Sequence, residues 1–267
     1  SYRVKEIEKY AFTTCCAIKH LKIGEGIEVI SDYAFQACAN LESVSIPSSI
    51  RVVGVAPFQY CTCLTTIVVD KTNPIFDSRE GCNAIIKTQD NSLIVGCGAT
   101  KIPSSVRCID KYAFMGCLVE ELAIPDGVER INFFAFSSCP NLKKIVIPAS
   151  VETIEELAFD NCPEVISIVV DKNNTDYDSR NGCDAIIYTS DNKLILGCSS
   201  TIIPQDIETI SAFAFSHCRN LQRIVVPEGV SCIAAGAFEY CSNLKEIVLP
   251  TTMKSFIGGS NFGYCTS

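Results

Sequence analysis

The chain contains no tryptophan and only two methionines and two histidines among its 267 residues. His20 and His217 alone could supply imidazole, and no Cys-x-x-Cys pair occurs, so the usual zinc-ligand spacings are missing. Also missing are a glycine-rich phosphate loop, a His-Glu-x-x-His helix and a nucleophile elbow. Charged residues are scarce, at 19%, and no Lys/Arg cluster is present. With 22 basic and 30 acidic side chains the net charge is −8, which argues against nucleic acid as a partner, since phosphate binding rests on a basic footprint. No apolar run approaches the roughly 20 residues of a membrane span. No signal peptide opens the chain at Ser1-Tyr2-Arg3, as expected also of a mature form.

What the chain has is repetition. Phe-x-x-Cys occurs at Phe12, Phe35, Phe58, Phe114, Phe136, Phe159, Phe215, Phe238 and Phe262, at successive spacings of 23, 23, 56, 22, 23, 56, 23 and 24. A period of this length marks a solenoid of stacked coils, whose function more often lies in an extended surface than in one pocket. The fuller unit is Leu-x-x-Ile-x-Ile-Pro, then Val-x-x-Ile, then Ala-Phe-x-x-Cys, clearest over Leu142–Cys162 and Leu221–Cys241. Ile-x-Ile has period 2 and predicts a short strand with both isoleucines on one face. The proline that follows, as at Pro148 and Pro227, ends the strand because it has no N–H to donate. Phe and Cys at i, i+3 predict a helical or 3₁₀ turn. Ten strand rungs are expected, ending at Gly24, Pro47, Asp70, Pro103, Pro125, Pro148, Asp171, Pro204, Pro227 and Pro250.

The two spacings of 56 are a normal repeat plus a 33-residue insertion, and the insertions match one another at an offset of 101: Asp70 with Asp171, Cys82 with Cys183, Cys97 with Cys198. In each, two short apolar runs flank a polar turn at Asp90-Asn91 or Asp191-Asn192, which predicts a β-hairpin.

Leu-x-x-Ile-x-Ile-Pro followed by Ile-x-x-x-Ala-Phe-x-x-Cys resembles the BspA-like leucine-rich repeats of bacterial surface proteins, which also occur in some protozoa. The resemblance covers nearly the whole chain. The expected fold is therefore an α/β repeat: one leucine-rich-repeat solenoid domain over residues 1–267, of about ten coils with short parallel strands and hairpin insertions within 70–98 and 171–199. The resemblance implies adhesion or host-protein binding at a cell surface.

Seventeen cysteines need an account. Nine occupy the Phe-x-x-Cys position and read as small buried side chains packed against the Phe of their own turn. Cys82/Cys97 and Cys183/Cys198 bracket the hairpins and are the pairs a disulfide would join. His217 precedes Cys218, but Cys218 is a repeat position whose equivalents Cys38, Cys139 and Cys241 follow Ala37, Ser138 and Tyr240, so a bland exposed histidine is expected. Asp171, Asn173, Asp176 and Asp178, and likewise Asp70, Asn73 and Asp77, offer oxygen ligands of the kind Ca²⁺ prefers. Their spacing fails the EF-hand template, and solvated loops held by Asx turns are expected instead. Asn173-Asn174-Thr175 is a glycosylation sequon, meaningful in a eukaryotic secretory setting.

The residue between the two inward isoleucines of each rung points away from the core. In order these are Lys22, Ser45, Val68, Lys101, Ala123, Val146, Val169, Ile202, Val225 and Val248. From the sixth rung the column is unbroken aliphatic. The outward column beside it is polar: Lys144, Ser167, Ser200, Arg223, Glu246. An apolar stripe with a polar rim suggests a binding surface, whereas β-branched residues also simply suit strands. The expected function is a non-enzymatic, extracellular or cell-surface protein-binding module without cofactor or metal. Its candidate contacts are Lys144, Val146, Val169, Ile202, Arg223, Val225 and Val248. A host or matrix protein is the expected ligand and a glycan the alternative; a homodimer or a structural stalk is the alternative use of the stripe.

Overall fold

The computed structural model describes residues 4–121 and 123–266. It is a β-solenoid with almost no helix. Among the described residues only Arg79–Gly81 and Arg180–Gly182 form 3₁₀ turns, so the α/β expectation gives way to a nearly all-β one. Contacts divide the chain into two compact units: residues 1–119, 125–139 and 153–158 form the first, and 120–124, 140–152 and 159–267 the second.

In the first unit the Ile-x-Ile strands His20–Lys22, Ser43–Ile46 and Thr66–Val69 pair in parallel with every motif position in register. In the second unit Lys144–Ile147 pairs with Ser167–Val170, and Arg223–Val225 with Glu246–Val248. The Val-x-x-Ile segments form further parallel ladders, such as Glu6–Ile7, Val29–Ile30 and Val52–Val53 in the first unit. The 23-residue period thus places like residues above one another. Ile145, Ile168, Ile224, Phe215, Phe238 and Cys241 are all buried. Because β-pairing spacing is fixed near 4.8 Å, the ring of each Phe lies on the next: Phe12–Phe35 centroids are 5.1 Å apart and Phe215–Phe238 5.0 Å, both stacked.

The Ala-Phe-x-x-Cys segment is not helical. It consists of linked i→i+3 turns: in the first coil the N–H groups of Ala11, Thr13 and Cys15 donate to the carbonyls of Glu8, Tyr10 and Phe12. The residues two before and two after the Phe have positive φ, for example Tyr10 (61°) and Thr14 (60°), Tyr112 (62°) and Gly116 (76°), Phe213 (58°) and His217 (60°). A left-handed residue costs a non-glycine side chain about 1 kcal/mol and stops helix propagation. It frees the Phe N–H to bond the adjacent coil: Phe12 to Ala34 at 2.7 Å, Phe114 to Ala135 at 2.8 Å, Phe215 to Ala237 at 2.7 Å.

The insertions are also more than hairpins laid on the solenoid. In the first unit Phe76–Asp77, Ile85–Lys87 and Ser92–Val95 form an antiparallel meander. Its last strand pairs in parallel with Cys108–Ile109 and so becomes a rung of the Val-x-x-Ile ladder. In the second unit Tyr177–Asp178, Ala185–Tyr188 and Lys193–Gly197 repeat this, with Lys193–Gly197 beside Thr209–Ile210. The insertion coil has no Phe turn; Gly96 and Gly197 pass straight beneath the rings of Phe114 and Phe215. A Cβ on either glycine would lie 2.2 Å from the ring.

This arrangement removes two of the ten expected strands. Rungs at Lys101 and Ile202 are not strands; their N–H groups donate to the Cys82 and Cys183 carbonyls, at the ends of the 3₁₀ turns rather than on strands. The fifth rung contributes an isolated bridge, Glu121 to Lys144; its Leu122 lies outside the described residues.

Candidate functional site

Every residue of the central outward column read from the period-2 pattern is exposed, while Ser167 in the column beside it is half-buried. Val146, Val169, Val225 and Val248 have 37%, 43%, 44% and 39% of their surface open, while their neighbours Ile145, Ile168 and Ile224 are buried. Ile202 is the most exposed of the column, at 76%. Within the second unit the backbone brings Val146 beside Val169 and Val225 beside Val248, as direct partners in register. It does not bring Ile202 into either pair. Between the two strand pairs run residues 183–184, whose Asp184 Oδ1 accepts the Ile168 N–H at 3.1 Å, and the irregular segment holding Ile202. The expected unbroken stripe is therefore two valine pairs with a protruding isoleucine between them. Ile166, exposed beside Ser167, widens the apolar area.

The rim is charged and solvated. Lys144 and Arg223 are exposed. Arg223 Nε donates to Glu246 Oε2 at 2.9 Å, and Lys143 Nζ to Glu120 Oε2 at 3.2 Å. Such exposed pairs contribute about 0.2–1 kcal/mol each and act mainly on partner choice. The corresponding face of the first unit is different: Lys22, Ser45 and Lys101 occupy the outward column there, with Val68 the one large aliphatic among them.

All seventeen cysteines are free thiols, the pairs Cys82/Cys97 and Cys183/Cys198 included. Cys97 Sγ instead donates to the Asn83 carbonyl at 3.3 Å, and Cys198 Sγ to that of Asp184 at 3.5 Å. The repeat cysteines do more than fill space. Cys38, Cys61 and Cys139 donate to the Phe carbonyl of the preceding coil (Phe12, Phe35, Phe114) at 3.0–3.2 Å. Cys241 does the same to Phe215 at 3.0 Å. Burial pushes Cys38 up, Cys61 and Cys241 up to about 12, and Cys82 and Cys183 to about 11, away from thiolate. Thiolate chemistry is suppressed at such values.

His217 is half-buried, stacked on Tyr240 at 4.5 Å, rather than freely exposed as expected. Burial holds its imidazole below the ordinary value, and burial likewise raises Asp160 nearby. Cys218 points elsewhere, its Sγ donating to the Gly197 carbonyl at 3.7 Å, so no Cys–His couple forms.

The acidic loops are structural. Asp171 Oδ1 accepts from Asn173 N and Nδ2 at 2.8 and 3.0 Å, an Asx turn. Asp178 is clasped by Arg180, which reaches on to Asn192 and Asp206. Asp77 and Arg79 repeat the clasp with Asn91 and Ser105. Among the described residues no group of three or more His, Cys, Asp or Glu could hold a metal ion.

Sequence reasoning takes Asn73 for a loop oxygen ligand and Asn174 for part of a sequon, and misses the structural role of both. Each is buried. Their amide nitrogens tie the carbonyls of Pro47 and Ile50, or Pro148 and Val151, and their Oδ1 atoms accept two backbone N–H groups of the insertion. Recurrence of Asn at the offset of 101 is the one signal that points to them. A cavity of about 10 Å³ lies between the Phe58 and Phe114 turns, lined by Gln59, Ile94, Gly96, Tyr112 and Met115; it holds one water at most. No helix among the described residues is long and apolar enough to cross a membrane.

Comparison with known structures gives the same architecture. A leucine-rich repeat protein from Eubacterium ventriosum aligns over 100% of this chain and 82% of its own, at TM-score 0.61 and 17% identity. A leucine rich cell surface protein from Faecalibacterium prausnitzii aligns over 94% of this chain at TM-score 0.51 and 25% identity; the chain spans 63% of that protein's length. Comparison with curated proteins returns no match. The family model for the BspA type leucine rich repeat region matches in six copies over residues 1–82, 96–183 and 194–267. The chain belongs to the BspA-type leucine-rich repeat family.

Proposed function

We propose that this chain is a non-enzymatic protein-binding module, displayed at a cell surface or secreted, and that it makes contact through the outward face of the second unit. The observation that carries the reading is the pair of valine couples, Val146–Val169 and Val225–Val248, exposed on regular strands and bordered by Lys144 and Arg223. Exposed aliphatic side chains in register, with a charged rim, have the anatomy of a protein contact. The alternative of plain strand propensity does not account for the first unit, where the same strand positions carry Lys22 and Ser45. Support for surface display comes from the family and from the cell-surface neighbour.

The test is a binding assay of the immobilised chain against soluble serum and extracellular-matrix proteins, with the Val169→Glu/Val225→Glu variant beside it. Expected is loss of binding in the variant with an unchanged melting temperature. Equal binding by both proteins would remove this face from the account.

A further inference from the structure

The order of the large aliphatic residues along the second unit's outward face is the same in both directions, and this bears on what covers it. The inference rests on the reading of the face as a protein contact. After the small Ala123 the column runs Val146, Val169, Ile202, Val225, Val248, an order unchanged by reversal. Beside it, Glu121 is bridged to Lys144, and from Lys144 the polar column runs to Glu246, with Ser167 and Arg223 at its inner strand positions. We propose that the occupant of this face is a second copy of the chain, docked about a two-fold axis parallel to the strands.

Such an axis, lying in the contact plane, reverses the order of the rungs but leaves each column facing its own counterpart. The strand pair Lys144–Ile147 and Ser167–Val170 of one copy then meets Glu246–Val248 and Arg223–Val225 of the other. Val146 lies against the partner's Val248, and Val169 against the partner's Val225. Lys144 lies against the partner's Glu246, opposite in charge, and the symmetry provides this pair twice. Ser167 meets the partner's Arg223, so no like charges oppose one another in these two columns. Ile202, between the two strand pairs and the most exposed of the column, falls near the axis. The contact is isologous, each patch being its own complement, as the commonest class of closed oligomer requires. A two-fold axis along the stack would also lay valine on valine, but it would carry each copy's polar column to the opposite side of the valines from the other's, so that Lys144 no longer faces the partner's Glu246 and the charge order has no role. The first unit lacks the pattern, with His20, Ser43 and Thr66 beside Lys22, Ser45 and Val68.

The experiment is sedimentation equilibrium of the full chain at micromolar concentration, with circular dichroism melting of every variant. The expected mass is twice the 29.1 kDa of one chain. Ile202→Asp should raise the dimer dissociation constant by at least about tenfold while still melting cooperatively as a folded chain, its melting temperature lowered only by the lost association. Lys144→Glu should weaken association by placing two carboxylates together. Adding Glu246→Lys to Lys144→Glu should restore part of it, since the charges then complement in the opposite sense. A chain that stays at one mass overturns the inference and leaves the broader protein-contact reading to the binding assay. A dimer indifferent to Ile202→Asp, or a charge-reversed double variant no tighter than Lys144→Glu alone, also overturns it. Unfolding of the folded-state control Val169→Glu would overturn the exposed face itself, and both readings with it.

Discussion

The two insertions, within residues 70–98 and 171–199, and the rungs that follow them solve one structural problem with the same side chains and then differ where nothing structural constrains them. Each needs a buried Asn (Asn73, Asn174) to tie it to the preceding rungs, and an Arg clasp (Arg79, Arg180) to hold its 3₁₀ turn. Each also needs a glycine (Gly96, Gly197) under a Phe ring. At the outward position between the inward rungs, one has Lys101 and the other Ile202, both exposed. Around the turn that closes over the insertion, one has Gln59, Tyr60 and Met115, the other Asp160, Asn161 and Ser216. Shared positions carry the fold; unshared ones carry whatever distinguishes the two units.

The strongest way to break this comparison is at the ring. Phe114 and Phe215 are fully buried, and a buried Phe→Ala change costs about 3–5 kcal/mol. Denaturant titration should show comparable losses for Phe114→Ala and Phe215→Ala. A loss under about 1 kcal/mol at either site would mean the turn is not a core element there.

Next in size are the buried amides. Asn73→Ala and Asn174→Ala each strand two carbonyls and two N–H groups, and a loss of at least about 2 kcal/mol is expected from leaving buried groups unpaired. Hydrogen exchange should quicken at Ile75 and Phe76, or at Asp176 and Tyr177, before the rest of the unit. Uniform exchange would contradict the tie.

The comparison sharpens at the arginines. Arg180 meets two carboxylates, Asp178 and Asp206, whereas Arg79 meets Asp77 and the Ser105 hydroxyl. Arg180→Met should therefore cost more than Arg79→Met, by a few tenths of a kcal/mol for a partly exposed pair, and the difference should shrink in high salt. Equal costs at all salt concentrations would show that Asp206 adds nothing.

These contrasts are partly legible in the order of the residues. Period 2 in Ile-x-Ile places Val169 and Val225 outward and Ile168 and Ile224 inward, and the offset of 101 identifies the insertions. The left-handed turns are not legible, since Tyr10, Phe213 and His217 occupy positions where glycine would have been the signal. Nor is the loss of the rungs at Lys101 and Ile202, whose N–H groups meet the Cys82 and Cys183 carbonyls. Local pattern cannot specify that meeting. The cysteine donors leave no trace in the pattern because a thiol packs like an apolar group, and its Phe acceptor is 26 residues away in the case of Cys38.

The smallest effect concerns pH. Burial lowers the His217 imidazole, so the unfolded chain takes up that proton first and stability falls as pH drops through about 6.5. Asp160, raised by burial, works in the opposite sense, because the folded state protonates it first. Arg219 lowers and Glu239 raises His217 by smaller amounts. The stability difference between wild type and His217→Gln should change between pH 7 and pH 5, in favour of the variant at the acid end. A constant difference would place His217 in solvent.

The central claim is that the outward column is exposed in both units and selects partners in one. The direct measurement is the exchange of its unshared residues, Lys101→Ile and Ile202→Lys, made separately. Melting temperatures within a degree or so of wild type are expected for both, since exposed substitutions change stability by less than about 0.5 kcal/mol. Association or ligand binding should be lost with Ile202→Lys and kept with Lys101→Ile. Unfolding of either variant, or binding indifferent to Ile202→Lys, would contradict the account.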